Sequence, residues 1–317
     1  MERKELINNK YIIIEKRGNG ITSDVFQVKD IKTEKFYAAK IFKNSSKFFL
    51  KEIEILNSIK KINNPFIINI IESNITQNGQ LPKEDQQYII LEYASKGDLF
   101  DYISLTNNGL KEKYCKIIFY KILKGIQACH NAGICHRDLK LQNILFDDNF
   151  NPKICDFGFA TFNDKNLKDY LGTLNYAAPE LFLKKPYDGF KVDIFSLGVV
   201  LLNLATCKIG FLEANKYDPY YRLIIAKDYK QYWYKVGKKI NKISDELKNL
   251  YLKMISFNPE KRPTIEEILN DEWMKEINAL NKEEFEKLEN KVKKKLLNIE
   301  EIKMINEVKI KISKKNE

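Results

Sequence analysis

The sequence predicts an α+β fold of two lobes, a small antiparallel β-sheet lobe followed by a larger, mainly α-helical one. Three observations carry that expectation. Before Gly97 the apolar residues fall in short, β-branched or alternating runs; beyond it they recur at three- and four-residue spacing; and two long loops, 136–143 and 156–180, interrupt the helical part.

Taken in order, 11–14, 25–28 and 36–42 read as strands, separated by Gly18-Asn19-Gly20 and by the polar stretch 30–35. A helix is expected over 46–59, where Phe49, Ile53, Leu56 and Ile59 share one face. Two further strands, 67–71 and 88–93, flank a polar loop at 74–86. Helices follow at 110–131, 192–207 and 244–256. From Lys275 onward Pro and Gly are absent, and Ile277, Leu280, Phe285, Leu288, Val292, Leu296 and Ile299 mark an amphipathic helix with a Lys/Glu face. No internal repeat is present.

A chain of 317 residues fits one large two-lobed domain or two ordinary ones. With 44% hydrophobic and 12% aromatic residues it can bury a substantial core, which excludes disorder throughout. The net charge of +11 raises nucleic acid, anionic membrane and acidic proteins as partner classes. No single arm carries the excess, since 275–317 holds twelve Lys against nine Glu, and no aromatic RNA-binding signature accompanies it. The expectation is a lysine-rich solvated surface and no nucleic-acid partner. Five cysteines without a CxxC pair make a poor disulfide framework and point to a reducing compartment; the expected location is cytoplasmic, with nuclear access open to it. The first residues are too charged to lead a signal peptide, and the longest apolar run, 194–207, is broken by Ser196, Asn203 and Thr206. It reads as a buried helix, so no integral membrane segment is expected.

Glycines in a turn between strands let backbone N–H groups approach phosphate oxygens, because no Cβ intervenes. Gly18-Asn19-Gly20, followed by Val25, offers such a turn, though any hairpin has use for one. Lys40, after Ala38-Ala39 on the third strand, would be costly among apolar neighbours without an anion or carboxylate, and Glu52 on the next helix is its natural partner. The strongest segment is His136-Arg137-Asp138-Leu139-Lys140-Leu141-Gln142-Asn143, joined by Asp156-Phe157-Gly158. An Asp can accept a hydroxyl proton, a Lys can offset phosphoryl charge, and Asn with a second Asp can hold Mg²⁺ through oxygen.

This ordered set resembles the eukaryotic protein kinase family, serine/threonine branch and broadly its calcium/calmodulin-dependent group, over residues 11–274. The resemblance implies the two-lobed protein kinase fold, with a lead at 1–10, a small lobe at 11–94, a large lobe at 95–274 and a charged helical tail at 275–317. It implies transfer of the ATP γ-phosphate to protein Ser/Thr hydroxyls with ATP and Mg²⁺. Asp138 would be the catalytic base, with Lys140 and Thr173 beside it; Lys40 would grip the α/β-phosphates and Glu52 would fix Lys40. Asn143 and Asp156 would hold the metal. Arg17, Gly18, Asn19, Gly20, Val25, Ala38, Leu91 as gatekeeper, the hinge residues Glu92 and Ala94, Asp98 and Leu145 would line the nucleotide site. Glu180 of Ala178-Pro179-Glu180 should pair with Arg262, and Asp193 should anchor the catalytic loop. The alternative is a pseudokinase-like ATP-binding scaffold, whose usual sign is loss of Lys40, Asp138 or Asp156; all three are present.

Departures from the family pattern carry expectations of their own. Ser23 stands at the third loop glycine, tolerable if its φ stays negative, with slower nucleotide handling expected. Gln142 and Asn203 remove negative charge that would attract a substrate arginine, leaving Asp98 as a weak basic preference, and Phe159 resembles kinases that prefer serine. Asp169, four residues before Thr173, stands where many relatives carry a phosphorylatable threonine, so it could pair with Arg137 and partly replace the phosphate. In the tail, Lys291-Val292-Lys293-Lys294-Lys295 is a basic amphipathic stretch. It fits a helix packed on the large lobe or self-associating, an autoinhibitor, or a site for an acidic, calmodulin-like partner.

Overall fold

A computed structural model of the chain describes residues 6–43, 47–74, 87–163, 165–237 and 243–313. The expected helix start at Ser46, nearly all of the polar loop 74–86 and the first residues of the lead lie outside these.

The small lobe comprises β1 (Leu6–Ile7), β2 (Tyr11–Asn19), β3 (Ser23–Asp30), β4 (Phe36–Phe42), α1 (Lys47–Ile62), β5 (Ile70–Ser73) and β6 (Tyr88–Glu92). Its strands form one antiparallel sheet of order β1-β2-β3-β4-β6-β5. Side chains alternate along a strand, so β4 sends Ala39 and Ile41 into a small core with Tyr11, Val28, Tyr88 and Ile90. The same alternation turns Ala38, Lys40 and Phe42 to the other face, where Phe42 packs edge-on against Phe49 of α1, ring centroids 4.9 Å apart. In α1 the expected Phe49, Ile53, Leu56 and Ile59 are all buried. β2 runs past the expected 11–14 to Asn19, because bulges at Ile13/Glu15 and Lys16/Gly18 preserve its pairing with β3. β5 starts later than the expected 67, since Ile67 bridges Ile154 and the Ile68 amide donates to the Ile154 carbonyl at 2.9 Å, tying this stretch to the large lobe.

The large lobe runs α2 (Leu99–Ser104), α3 (Glu112–Asn131), β7 (Ile134–Cys135), β8 (Ile144–Phe146), β9 (Pro152–Ile154), β10 (Thr161–Phe162), α4 (Pro179–Phe182), α5 (Gly189–Thr206), α6 (Tyr221–Ile225), α7 (Tyr229–Gly237), α8 (Asp245–Met254) and α9 (Ile265–Leu269). α5 alone among the described helices is long and apolar enough to cross a membrane, but it is buried on all sides in the large-lobe core. It begins before the expected 192 because the Asp188 carboxylate accepts from the Phe190 amide at 2.9 Å and caps it. α3 begins after the expected 110, with Lys111 as its extended N-cap, and the Leu110 amide before it donates to the Leu204 carbonyl at 2.8 Å. Ser244 caps α8 and is itself held by Glu112, which also takes the indole N–H of the buried Trp273 at 2.9 Å.

The tail was expected as one helix from 275; it is two. α10 (Lys275–Asn278) stops, and α11 (Lys282–Ser313) restarts from Asn281, whose side chain accepts from the Glu284 amide while Glu284 accepts from the Asn281 amide. α11 lies on α2 and α3. It buries Val292, Leu296 and Ile299, stacks Phe285 edge-on to Tyr120, and pairs Glu289 with Lys121, Glu300 with Lys96 and Lys303 with Asp101. Leu296 is fully buried, so Leu296→Asp would force an unpaired carboxylate into apolar surroundings. We expect that variant to undock α11 and lower the melting temperature by several degrees, with new protease cleavage inside 282–313. Wild-type melting and protection would contradict the docking.

Candidate active site

Directly paired residues on neighbouring strands share a face, and here the pairing collects a row of functional side chains. Gly18 faces Val25, Val25 faces Lys40, and Ala38 faces Leu91. Val25, Ala38 and Leu91 are half-buried, as is Leu145 on β8, which is bridged to Asp98. The chain turns sharply between β2 and β3, the Gly20 amide donating to the Ser23 carbonyl at 2.9 Å; a Cβ on Gly20 would sit 2.9 Å from that oxygen. Lys43 holds Asn19 and Gly20 from the side at 3.0 and 2.6 Å. Ser23 is an ordinary strand residue paired with Phe42 and is absent from the left-handed set, which meets the condition its replacement of glycine required. Arg17 is exposed and bonds Gln27 at 2.7 Å.

Lys40 Nζ donates to both oxygens of Glu52 at 2.6 and 2.8 Å and to Asp156 Oδ1 at 2.9 Å. Burial works against the ammonium charge, but the two carboxylates outweigh it and hold Lys40 above its ordinary value. Burial likewise opposes the charge of Asp156, and adjacent Lys40 wins, leaving that carboxyl below the usual range. Asp156 has φ of +61° and a half-exposed side chain, a strained conformation imposed where the chain turns into Phe157-Gly158. A Cβ on Gly158 would come within 3.5 Å of Asp156, Lys40 and Glu52 together.

The second group lies on the loop between β7 and β8. Asp138 Oδ1 accepts from the Thr173 hydroxyl at 2.8 Å; Oδ2 accepts from Lys140 at 2.7 Å and from the Asn143 amide at 3.0 Å. Lys140 also donates to Thr173 Oγ1 at 2.8 Å. A carboxylate has about four acceptor directions, so one remains after these three donors. The loop is braced from below by Asp193, whose carboxylate accepts the amides of His136 and Arg137, both at 2.8 Å, and meets His130 Nε2 at 2.9 Å. That bracing sustains a φ of +66° at Arg137.

Further placements refine the expected list. Glu92 is held by Lys153 at 2.6 Å, a link no motif foretold, and Ala94 is buried. Asp98 is the N-cap of α2, accepting from the Asp101 amide at 2.9 Å, and burial raises its carboxyl pKa. Asn203 is buried within α5. Glu180 and Arg262 form a two-pronged pair at 2.6 and 2.7 Å. Arg137 and Asp169 do meet, at 3.4 Å, and Tyr187 joins them, a residue whose part was invisible in sequence because it belongs to no motif and lies 18 residues beyond Asp169.

The protein kinase domain family matches residues 11–274, and the chain belongs to that family. Among curated relatives, NUAK family SNF1-like kinase 1 of Homo sapiens is 37% identical over 226 residues, covering 71% of this chain and 31% of that protein. CBL-interacting serine/threonine-protein kinase 12 of Arabidopsis thaliana is 30% identical over 282 residues, covering 85% and 53%. CBL-interacting protein kinase 11 of Oryza sativa is 29% identical over 298 residues, covering 89% and 55%. The chain thus spans from a third to about half of the length of these relatives.

Proposed function

We propose that this chain is a serine/threonine protein kinase that transfers the γ-phosphate of ATP to protein hydroxyls. The observation that carries it is Lys40: one ammonium from the small lobe simultaneously holds Glu52 of α1 and Asp156 of the large lobe, closing the cleft around a cationic phosphate grip. Gly18, at the start of the glycine turn, lies in the same row, across Val25 from Lys40.

The donor set suits Mg²⁺. Among the described residues no three His, Cys, Asp or Glu side chains cluster to enclose a metal, whereas one carboxylate, Asp156, and one amide oxygen, Asn143, match an ion that keeps waters and substrate phosphates in its shell. Asp156 and Asn143 would hold it, and bound there it would offset phosphate charge. Asp138 takes the proton of the attacking Ser or Thr hydroxyl on its remaining acceptor direction. The hydroxyl oxygen bonds the γ-phosphorus as the bond to the β-phosphate oxygen breaks, releasing ADP. Lys140, fixed between Asp138 and Thr173, offsets charge on the transferring group. Val25, Ala38, Leu91 and Leu145 supply the apolar lining for adenine, Glu92 and Ala94 the hinge backbone.

The relative named a CBL-interacting serine/threonine-protein kinase supports the Ser/Thr assignment, and the one named an SNF1-like kinase supports kinase activity. Phe159 favours serine acceptors on this reading. Five free thiols, three of them buried, support a reducing, cytoplasmic setting. Transfer of radiolabel from ATP to a generic serine-containing acceptor, with Mg²⁺ present and Asp138→Asn as control, tests the proposal. Labelling that survives unchanged in the control, or none in the wild type, overturns it.

A further inference from the structure

The Arg137 guanidinium is nearly sealed from solvent, its side chain 2% exposed. A buried cation needs partners, and its charged one is poor: the Asp169 carboxylate stands 3.4 Å away and is 61% exposed, where water screens it. The closer partners are neutral. Arg137 Nε donates to the Phe159 carbonyl at 2.8 Å and Nη1 donates to the Tyr187 hydroxyl at 3.1 Å. That same hydroxyl donates onward to the Asp169 carbonyl at 2.8 Å. Tyr187 is buried, and burial holds its phenol above the ordinary value in spite of the neighbouring guanidinium, so it keeps the proton it donates. Its backbone also bridges the same segment: the Leu167 amide donates to the Tyr187 carbonyl at 3.1 Å and the Tyr187 amide to the Leu167 carbonyl at 2.9 Å.

We propose that Tyr187 is a positioning residue for the kinase reaction: its hydroxyl, relaying Arg137 to the Asp169 backbone, pins the 167–169 stretch against the catalytic loop without a phosphate group. This rests on the functional reading above and deepens it. Arg137 immediately precedes Asp138, and Gly172 packs against the Arg137 carbonyl, where a Cβ would come within 2.9 Å. The stretch from Asp169 to Thr173 therefore hangs between two points fixed to the same loop: the Tyr187 hydroxyl at one end and the Thr173 hydroxyl on Asp138 at the other. Releasing the first leaves the substrate-facing segment free to sample other positions while Lys40 and Asp156 stay paired. The Asp169 side chain is secondary in this arrangement, because the carbonyl that receives the bond belongs to the backbone.

The test uses the full chain, shown by mass to be unphosphorylated, and compares wild type, Tyr187→Phe and Asp169→Asn. Phe keeps the buried ring and removes only the hydroxyl. Amide hydrogen exchange at 167–171 is expected to accelerate about tenfold in Tyr187→Phe, the factor one buried hydrogen bond commands, and less than about threefold in Asp169→Asn. In steady-state assays Tyr187→Phe should raise KM for a serine peptide about fivefold while KM for ATP stays within about twofold, a split that general loss of packing would not give. Equal exchange in Tyr187→Phe and wild type, or a larger acceleration in Asp169→Asn, overturns the pin. Wild type that protects 167–171 and loses that protection in Tyr187→Phe, yet transfers no phosphate, refutes the kinase reading and leaves the pin standing.

Discussion

Asp138→Asn is expected to lower kcat about a thousandfold, within the range that a positioned proton acceptor contributes. The substitution keeps the shape, so its effect falls on charge and hydrogen-bond direction. Where Oδ2 now accepts from both Lys140 and the Asn143 amide, an amide nitrogen in that place would set donor against donor, and flipping the group only moves the conflict to the Thr173 hydroxyl, which can rotate to accept. The loop therefore keeps its fold through Asp193 and loses its base. Lys40, Glu52 and Asp156 form a separate cluster, so KM for ATP should stay within about threefold of wild type. Single-turnover measurement with saturating ATP separates the two quantities. A variant retaining a tenth or more of the wild-type rate would mean that the proton leaves by another route.

Much of the site was legible in sequence because the groups that do chemistry come from short loops whose residue order is itself the constraint. His136 to Asn143 holds Asp138, Lys140 and Asn143 within six residues of one loop, an order that carried the family resemblance, and the structure brings their side chains into contact. Lys40 with Glu52 was read as a pair because a buried charge demands a partner, whereas Glu180 with Arg262 was implied by the family resemblance alone. Tyr187 and Lys153 were not legible. Tyr187 acts through Arg137 and Asp169, 50 and 18 residues away, and Lys153 through Glu92 at the end of β6, 61 residues away, and a lone tyrosine or lysine carries no pattern that separates it from surface residues of the same type. In the fold, the long elements stood out and the short ones did not: α2, α6 and β7 to β10 have too few residues to display a period. The break at Asn281 was missed for a related reason, since the apolar spacing continues across it and only the Asn281–Glu284 capping box marks the restart.

Arg262→Met is expected to destabilise the protein by about 3–5 kcal/mol, the cost of stripping one partner from a buried ion pair. Arg262 is 1% exposed, and each of its three guanidinium nitrogens donates: Nη1 and Nη2 to the two oxygens of Glu180, Nη1 also to the Lys191 carbonyl at 2.9 Å, and Nε to the Ser256 carbonyl at 2.9 Å. Its guanidinium also lies over the Phe195 ring, 5.0 Å from the centroid. Met restores most of the volume but leaves Glu180, itself buried, with an uncompensated charge, and removes a donor from the Ser256 and Lys191 carbonyls. At roughly 2–4 °C for each kcal/mol in chains of about 150–250 residues, the melting temperature should fall on the order of 10 °C. Glu180 lies in α4, directly after the 156–178 stretch, so peptide KM should rise along with the loss of stability. The companion variant Glu180→Leu with Arg262→Met removes both charges and should recover more than half of the lost melting temperature, because the stranded carboxylate is the largest single cost. A double variant no more stable than Arg262→Met alone would assign the loss to the Ser256 and Lys191 carbonyls instead of to the ion pair.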